Sequence, residues 1–258
     1  MPSDPAETPT IVTVGDGFCV RQAVDNIAWI DLGEFAVVVD ALEQPALERE
    51  VFGAIRSTIG HGCVRFVLNT HTHYDHTALN DAFRREFGSQ IVNQHTSRVP
   101  PDGRWFEGPL RRVKMFPTPG CHTDEDCCVW VEPDRALFVG DIFGWGLIPL
   151  SGDLNDESAA LLRDTYARLI DFDAAVVIPG HGPVCTTVEL RRWVEYFNWL
   201  IERVGRACQA GKTDSQIVDA LGPPDDMKTW WRFLQWKHQD SLSKVISAVR
   251  AGRLGAFA

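Results

Sequence analysis

Three features of the sequence predict a layered α/β domain closed by a helical tail. Short apolar runs bounded by turn residues alternate with amphipathic stretches. Polar, histidine-bearing segments follow directly on several of those runs. Beyond Pro183 the strand-like texture ends and helical spacing takes over. With 258 residues, 45% of them hydrophobic, the chain can fill one large core. Charged residues are interspersed with apolar ones, so disorder is expected only in the Pro-rich residues 1–10.

The elements follow in order. Between Ile11 and Asp40 the runs IVTV, FCV, IAWI and FAVVVD, separated by Gly-Asp, Asp-Asn and Gly-Glu, read as strands and turns. Pro45 opens a helix in which Leu47, Val51, Ile55 and Ile59 recur every fourth residue, and Gly60 stops it. The run CVRFVLNT is a buried strand ending at Thr70. A helix over about 77–87 leads to a strand around Ile91. Strands are expected at 112–116, 127–132 and 135–139, then a helix carrying Leu161, Leu162, Tyr166 and Leu169, then the strand AAVVI. In the tail, Trp193, Phe197, Leu200, Ile201 and Val204 share one helical face. Thr213 with Gln216 forms a capping box, Pro223-Pro224 breaks the chain, and Trp230, Phe233, Leu234, Leu242, Val245 and Val249 mark a last helix. The expected organisation is a layered unit over 11–186 and a helical appendage over 187–258.

Composition narrows the partners. Thirty-five acids against 25 bases give a net charge of −10, which repels phosphate backbones and anionic lipid. A small-molecule substrate is expected, not a nucleic acid or a membrane. No apolar run approaches the roughly 18 residues of a membrane span. The N-terminus has neither a basic start nor an apolar stretch, so a cytoplasmic location is expected. The seven cysteines lack zinc-finger or thioredoxin spacing and read as free thiols.

The chemistry concentrates in the histidines. Five of the eight fall in three polar segments behind apolar runs. In His71-Thr72-His73-Tyr74-Asp75-His76, residues two apart in an extended loop point the same way, so His71 and His73 can grip one cation while Asp75 and His76 face a neighbouring position. Four candidate ligands in six residues exceed what a structural loop needs. Thr118-Pro119-Gly120-Cys121-His122-Thr123 offers His122 after a tight turn. Phe138-Val139-Gly140-Asp141 places a carboxylate beyond a strand, and Val177-Ile178-Pro179-Gly180-His181-Gly182 places an imidazole beyond another.

This ordered set, HTHYDH, TPGCHT, VGD and PGHG, over about residues 11–185, resembles the metallo-β-lactamase-fold hydrolase superfamily, nearest its glyoxalase II and lactonase branches. The resemblance implies an α+β four-layer αβ/βα sandwich with two metals at one edge. His71, His73 and His122 would hold the first, and Asp75, His76 and His181 the second. Asp141 would bridge them, and Asp40 would orient the loop from behind. The ions implied are two Zn²⁺, with iron or manganese as alternatives. Cys121 departs from the family pattern, which runs directly from Gly to His; a packing role is expected for it.

A dinuclear site of this kind implies metal-assisted hydrolysis: two cations lower the pKa of a bridging water, and the hydroxide attacks the substrate with Asp75 orienting it. Because Asp141 stands where the true β-lactamases usually carry Cys or Ser, an ester, thioester or lactone of a small organic acid is the expected substrate. The alternatives are a phosphodiesterase on the same scaffold and a mononuclear iron oxidoreductase resembling the persulfide dioxygenases. Tyr74, Phe143 and Trp145, the latter two in an aromatic loop expected to be flexible, are candidates for a substrate pocket. The adjacent Trp230 and Trp231 cannot both face one core, so one is expected to meet the pocket or a partner in a homodimer.

Overall fold

The structure is a computed structural model that describes residues 9–60 and 62–255. Its first half is a six-stranded sheet in simple sequence order. It comprises β1 (Thr10–Gly15), β2 (Phe18–Gln22), β3 (Ile27–Asp31), β4 (Ala36–Val39), β5 (Val64–Leu68) and β6 (Gln90–Val92). The hairpin-connected strands up to β4 pair antiparallel, whereas β4–β5 and β5–β6 are parallel because helices α1 (Glu48–Thr58) and α2 (Asn80–Phe87) carry the crossovers. The second sheet comprises β7 (Arg104–Glu107), β8 (Arg112–Pro117), β9 (Cys127–Glu132), β10 (Ala136–Gly140) and β11 (Val176–Pro179), in the order β11-β10-β9-β8-β7. Helix α3 (Asp156–Asp171) spans the parallel β10–β11 crossover.

Period-two alternation sorts the side chains into layers. Val20, Ile30, Val37 and Leu68 from one sheet meet Val129, Val131, Phe138 and Ile178 from the other in a central core. Cys19, Trp29, Val38 and Val67 face the opposite way, onto Val51, Phe52 and Ile55 of α1 and Phe83 of α2. Cys128, Trp130, Leu137 and Val139 face Leu162 and Tyr166 of α3 and the helices beyond it. Helix, sheet, sheet, helix is therefore the four-layer α+β sandwich. Strands covered on both faces explain why these segments read as unbroken apolar runs.

The tail comprises α4 (Thr187–Gln209), α5 (Asp214–Ala220) and α6 (His238–Arg250). Its apolar faces share one core with α3 and the second sheet, with Tyr166 stacked on Trp193 at 4.1 Å between ring centroids. Capping boxes start α3 (Asn155/Ser158), α4 (Thr186/Glu189) and α5 (Thr213/Gln216); caps of this kind contribute about 0.5–2 kcal/mol each. None of the helices among the described residues is long and apolar enough to cross a membrane.

Four expectations change. Pro45 lies in a 3-10 turn over Pro45–Leu47, and the α-helix begins only at Glu48. Strand β7 was not legible: its RWFE is short and buries only Phe106. The last helix is not continuous from Trp230, because Arg232 is left-handed (φ 55°) and Phe233–Lys237 form a π-helical turn before α6. Thr10, expected in the flexible terminus, already pairs with Gln22; residues 1–8 and His61 lie outside the described residues.

Candidate metal centre

Each polar segment of the sequence leaves the end of a strand at the same edge of the sandwich. Thr70, just past β5, accepts a backbone hydrogen bond from Cys127 at the start of β9 (2.7 Å), tying the two sheets together where the histidine loop begins. The loop then turns through a 3-10 segment, Tyr74–His76, which gives Asp75 and His76 to a second cluster beside that of His71 and His73, with the His71 and His76 ring centroids 4.1 Å apart. Asp141 follows β10 and His181 follows β11. The loop 179–182 is clamped from the first sheet by Asn26, whose amide donates to the carbonyls of Pro179 and Gly182, both at 2.8 Å. Gly180 is required here: a Cβ would lie 2.2 Å from Asp141 Oδ1.

Two clusters result, one of His71, His73 and His122, the other of Asp75, His76, Asp141 and His181. Within each, the candidate ligand atoms all lie within 4.8 Å of one another. Asp141 faces both. Its Oδ1 is 3.3 Å from His76 Nε2, and its Oδ2 is 3.2 Å from His181 Nε2, 3.6 Å from His122 Nε2 and 4.0 Å from His71 Nε2. The back of each ring is held. His122 Nδ1–H donates to the Pro149 carbonyl (2.7 Å) and His181 Nδ1–H to the Val24 carbonyl (2.8 Å); since a carbonyl only accepts, Nδ1 of each carries hydrogen and Nε2 is the atom aimed inward. Asp40 lies 3.0 Å from His76 Nδ1 and accepts from the Thr70 amide and hydroxyl. Thr70 Oγ1 in turn contacts His71 Nδ1 (3.2 Å).

The electrostatics are those of a cation site. Burial, then the neighbouring His76, push His71 down to about 2, so it presents a neutral imidazole. Burial also opposes charge on His181 and His76, but Asp141 with Asp75 raises His181 to about 10, and Asp40 with Asp141 holds His76 well above the ordinary histidine value. Asp75 is lowered to about 2, chiefly by its hydrogen bond with His181, and Asp141 is held well below the carboxylate range by His76 and His181 despite its burial. His71 Nε2, His76 Nε2 and Asp141 Oδ1 are buried without a hydrogen-bond partner. Orphaned nitrogen and oxygen donors pointing at one another are what a divalent cation satisfies.

The remaining sequence candidates part company. Tyr74 is 61% exposed and stands outside the cavity beside the clusters. Phe143 lines that cavity, but Trp145 is turned away from it, packed on Phe143 and Trp230. Their loop is pinned rather than flexible: the Ile142 carbonyl accepts from Tyr166, that of Gly146 from Ser241 and that of Leu147 from Trp193. Cys121 is buried in the core, its thiol pushed up to about 11 by burial. Of the tryptophan pair, Trp231 lines the cavity and Trp230 packs inward.

Sequence reasoning missed the supports. Asp126 receives the His122 amide (2.6 Å) and both the amide and hydroxyl of Thr123, fixing the loop around the inserted Cys121. The Thr-x-x-Asp spacing of a side-chain-capped turn was the available signal. Asn26 showed only as a turn residue, and Pro149 and Val24 act through backbone carbonyls, which leave no mark in a sequence.

Clustered imidazoles and carboxylates at one edge of two facing sheets define a metal-dependent hydrolase. The chain belongs to the metallo-beta-lactamase superfamily, whose family profile matches residues 23–119 and 96–181. It is 38% identical over 208 residues to a beta-lactamase-like protein 2 homolog of Caenorhabditis elegans, covering 75% of this chain and 67% of that protein. It is 32% identical over 154 residues to a hydroxyacylglutathione hydrolase of Rhodospirillum rubrum, where the match covers 55% of this chain and 56% of the relative. A metallo-beta-lactamase from Pontibacter korlensis shares the fold at 18% identity, with a TM-score of 0.59 over 73% of this chain and 98% of its own.

Proposed function

We propose that the protein is a dinuclear zinc hydrolase acting on an ester, thioester or lactone of a small organic substrate. The observation that carries this reading is Asp141, whose two carboxylate oxygens address both ligand clusters at once. His71, His73 and His122 would hold one ion, Asp75, His76 and His181 the other, and Asp141 both. Bound there, two divalent cations would bring a water toward neutrality in pKa and polarise the scissile carbonyl. The thioester class draws support from the Rhodospirillum rubrum relative, named for hydrolysis of a glutathione thioester.

The chain's own residues supply positioning and a hydrogen-bond acceptor. Asp75, held ionised, can only accept a hydrogen bond, and it orients the attacking water by accepting one from it. The water oxygen joins the acyl carbon, the acyl–oxygen or acyl–sulfur bond breaks with its electron pair, and the proton passes to the departing alkoxide or thiolate. Phe143 and Leu147 form an apolar wall beside His122 and Asp141 that limits free water around the reacting carbonyl. The test is elemental analysis of gently purified protein together with a screen of lactones, thioesters, aryl esters and phosphodiesters. Two zinc ions per chain and turnover of an acyl substrate are expected. One iron per chain with oxygen uptake, or turnover of phosphodiesters alone, would overturn the reading.

A further inference from the structure

We infer that Glu125 is a positioning residue for the first ligand cluster: it latches the loop that carries His71 and His73 to the loop that carries His122, and so sets how closely these imidazoles converge. The inference rests on the metal-site reading above and adds to it a residue outside both clusters. Glu125 stands on the loop between β8 and β9 that also carries His122. Its Oε1 accepts a hydrogen bond from the hydroxyl of Thr72, the residue between His71 and His73. Its Oε2 lies 2.6 Å from Nε2 of His95, just beyond β6. The Glu125 side chain is 18% exposed, whereas that of His95 is 71% exposed. A carboxylate this far out of water is unfavourable unless its oxygens are used, and here they join three separate segments of the chain.

The two loops differ in how each is held. The one over 118–126 is stiffened by its own bonds. Thr118 N–H donates to the Asp126 carbonyl (2.8 Å), Gly120 N–H donates to that of Thr123 (2.7 Å), and the Asp126 carboxylate receives the amides of His122 and Thr123. None of these bonds reaches the first sheet. On the other loop, His73 is exposed, and among the described residues no carbonyl or carboxylate backs its ring, whose Nδ1 stands 3.1 Å from His122 Nε2. Its place therefore depends on its backbone. The Thr77 hydroxyl donates to the His73 carbonyl (3.0 Å) on one side, and the bond from Thr72 to Glu125 holds the other. The backbone bond from Cys127 to Thr70 ties the sheets at the root of the histidine loop; the Thr72–Glu125 bond ties them further out, next to His73.

Glu125 is placed to act on ligands and not on substrate. With His95 it lines a groove shared with Gln94, Arg98 and Pro119, whereas the cavity beside His122 and Asp141 is walled by Phe143 and Leu147. Partners behind metal ligands contribute about 10–100-fold in affinity, and Glu125, acting through the neighbour of two ligands, belongs at the low end of that range.

The test uses the full-length protein, stripped of metal and titrated with zinc against a competing chelator. The binding step lost in His73→Ala identifies the first cluster. In Glu125→Ala and in Thr72→Val that step should weaken by about tenfold. Both variants break the same contact, so the double variant should lose no more than the larger single loss. Glu125→Gln keeps an acceptor for the Thr72 hydroxyl without the charge and should recover most of the affinity. Thermal melts of the metal-free proteins report the fold; a merely structural role would lower these melts and leave zinc affinity untouched. Unchanged zinc affinity in Glu125→Ala and Thr72→Val, additive losses in the double variant, or a Glu125→Gln as weak as Glu125→Ala would overturn the inference. Acyl hydrolysis is assayed on the same samples. The expected zinc pattern without hydrolysis by any of the proteins would uphold the latch and defeat the hydrolase reading, and hydrolysis with unaltered zinc affinities would do the reverse.

Discussion

Replacing Asp141 by Ala should dismantle the chemistry while leaving the fold in place. The residue follows β10, whose backbone is fixed by pairing with β9 and β11, and its side chain lies between the two clusters and against Gly180. Four imidazole nitrogens surround its carboxylate at 3.2 to 4.0 Å. At an effective dielectric of about 20, unit charges 4 Å apart interact by about 4 kcal/mol. If only a third of that survives screening, about 1.3 kcal/mol remains, which is close to tenfold in affinity. On the dinuclear reading proposed above, both ions would lose this carboxylate at once, so the weaker should leave during dialysis, and turnover should fall by about 10²–10³. Asp141→Asn keeps the shape and removes the charge; an equal loss there would assign the effect to charge. The assay is metal content per chain after dialysis, kcat on the best acyl substrate, and a thermal melt. Two ions retained with turnover within a few-fold of wild type would refute the bridging role.

Four further outcomes follow from the geometry. Metal loading near pH 7 should expel about two protons per chain, because His181, raised to about 10, and His76 must shed theirs to become ligands; calorimetry in buffers of different ionisation enthalpy reads the number, and affinity should rise with pH. Gly182→Ala combines a left-handed backbone (φ 79°), costing about 1–2 kcal/mol in an L-residue, with a clash against Trp231, so KM should rise and the melting temperature fall by several degrees; an unchanged KM would detach Trp231 from substrate binding. Asp126→Asn should weaken metal binding by about 10–100-fold through the His122 backbone, as metal titration would show. His238, buried between Tyr196 and the Leu221 carbonyl, has its pKa depressed below 6.5, so the stability it contributes is complete above pH 6.5 and is lost as pH falls through the folded value; the drop in urea midpoint between about pH 7.5 and pH 5 should be smaller in His238→Phe.

Much of the sandwich was legible because its strands are buried on both faces and its helices carry caps. FAVVVD, CCVWVE and AAVVI announce themselves as unbroken apolar runs, and Thr213 with Gln216 marks the start of α5 to the residue. The candidate ligands were legible for a different reason: clustered histidines have no structural use in a loop, and each follows a strand whose end the periodicity locates. What stayed hidden depends on tertiary neighbours. Strand β7 buries one side chain in four and takes its pairing from β8. The partners behind the imidazoles of His122 and His181 are backbone carbonyls of distant loops, available at any residue and therefore unmarked.

The tail shows the same limit more sharply. Trp230 and Trp231 could be read as a surplus pair, but which one faces the site is decided by two glycines elsewhere. Gly146 leaves room for the Phe233 ring, where a Cβ would lie 2.4 Å away, and Gly182 leaves room for Trp231. Between those two seated rings stands the left-handed Arg232, followed by the wide turn at 233–237, and Trp236 and Lys237 of that turn line the cavity. Missing side chains on one element thus make room for the rings of another. Substrate selection should therefore respond to Gly146 and Gly182 as strongly as to the residues that line the pocket.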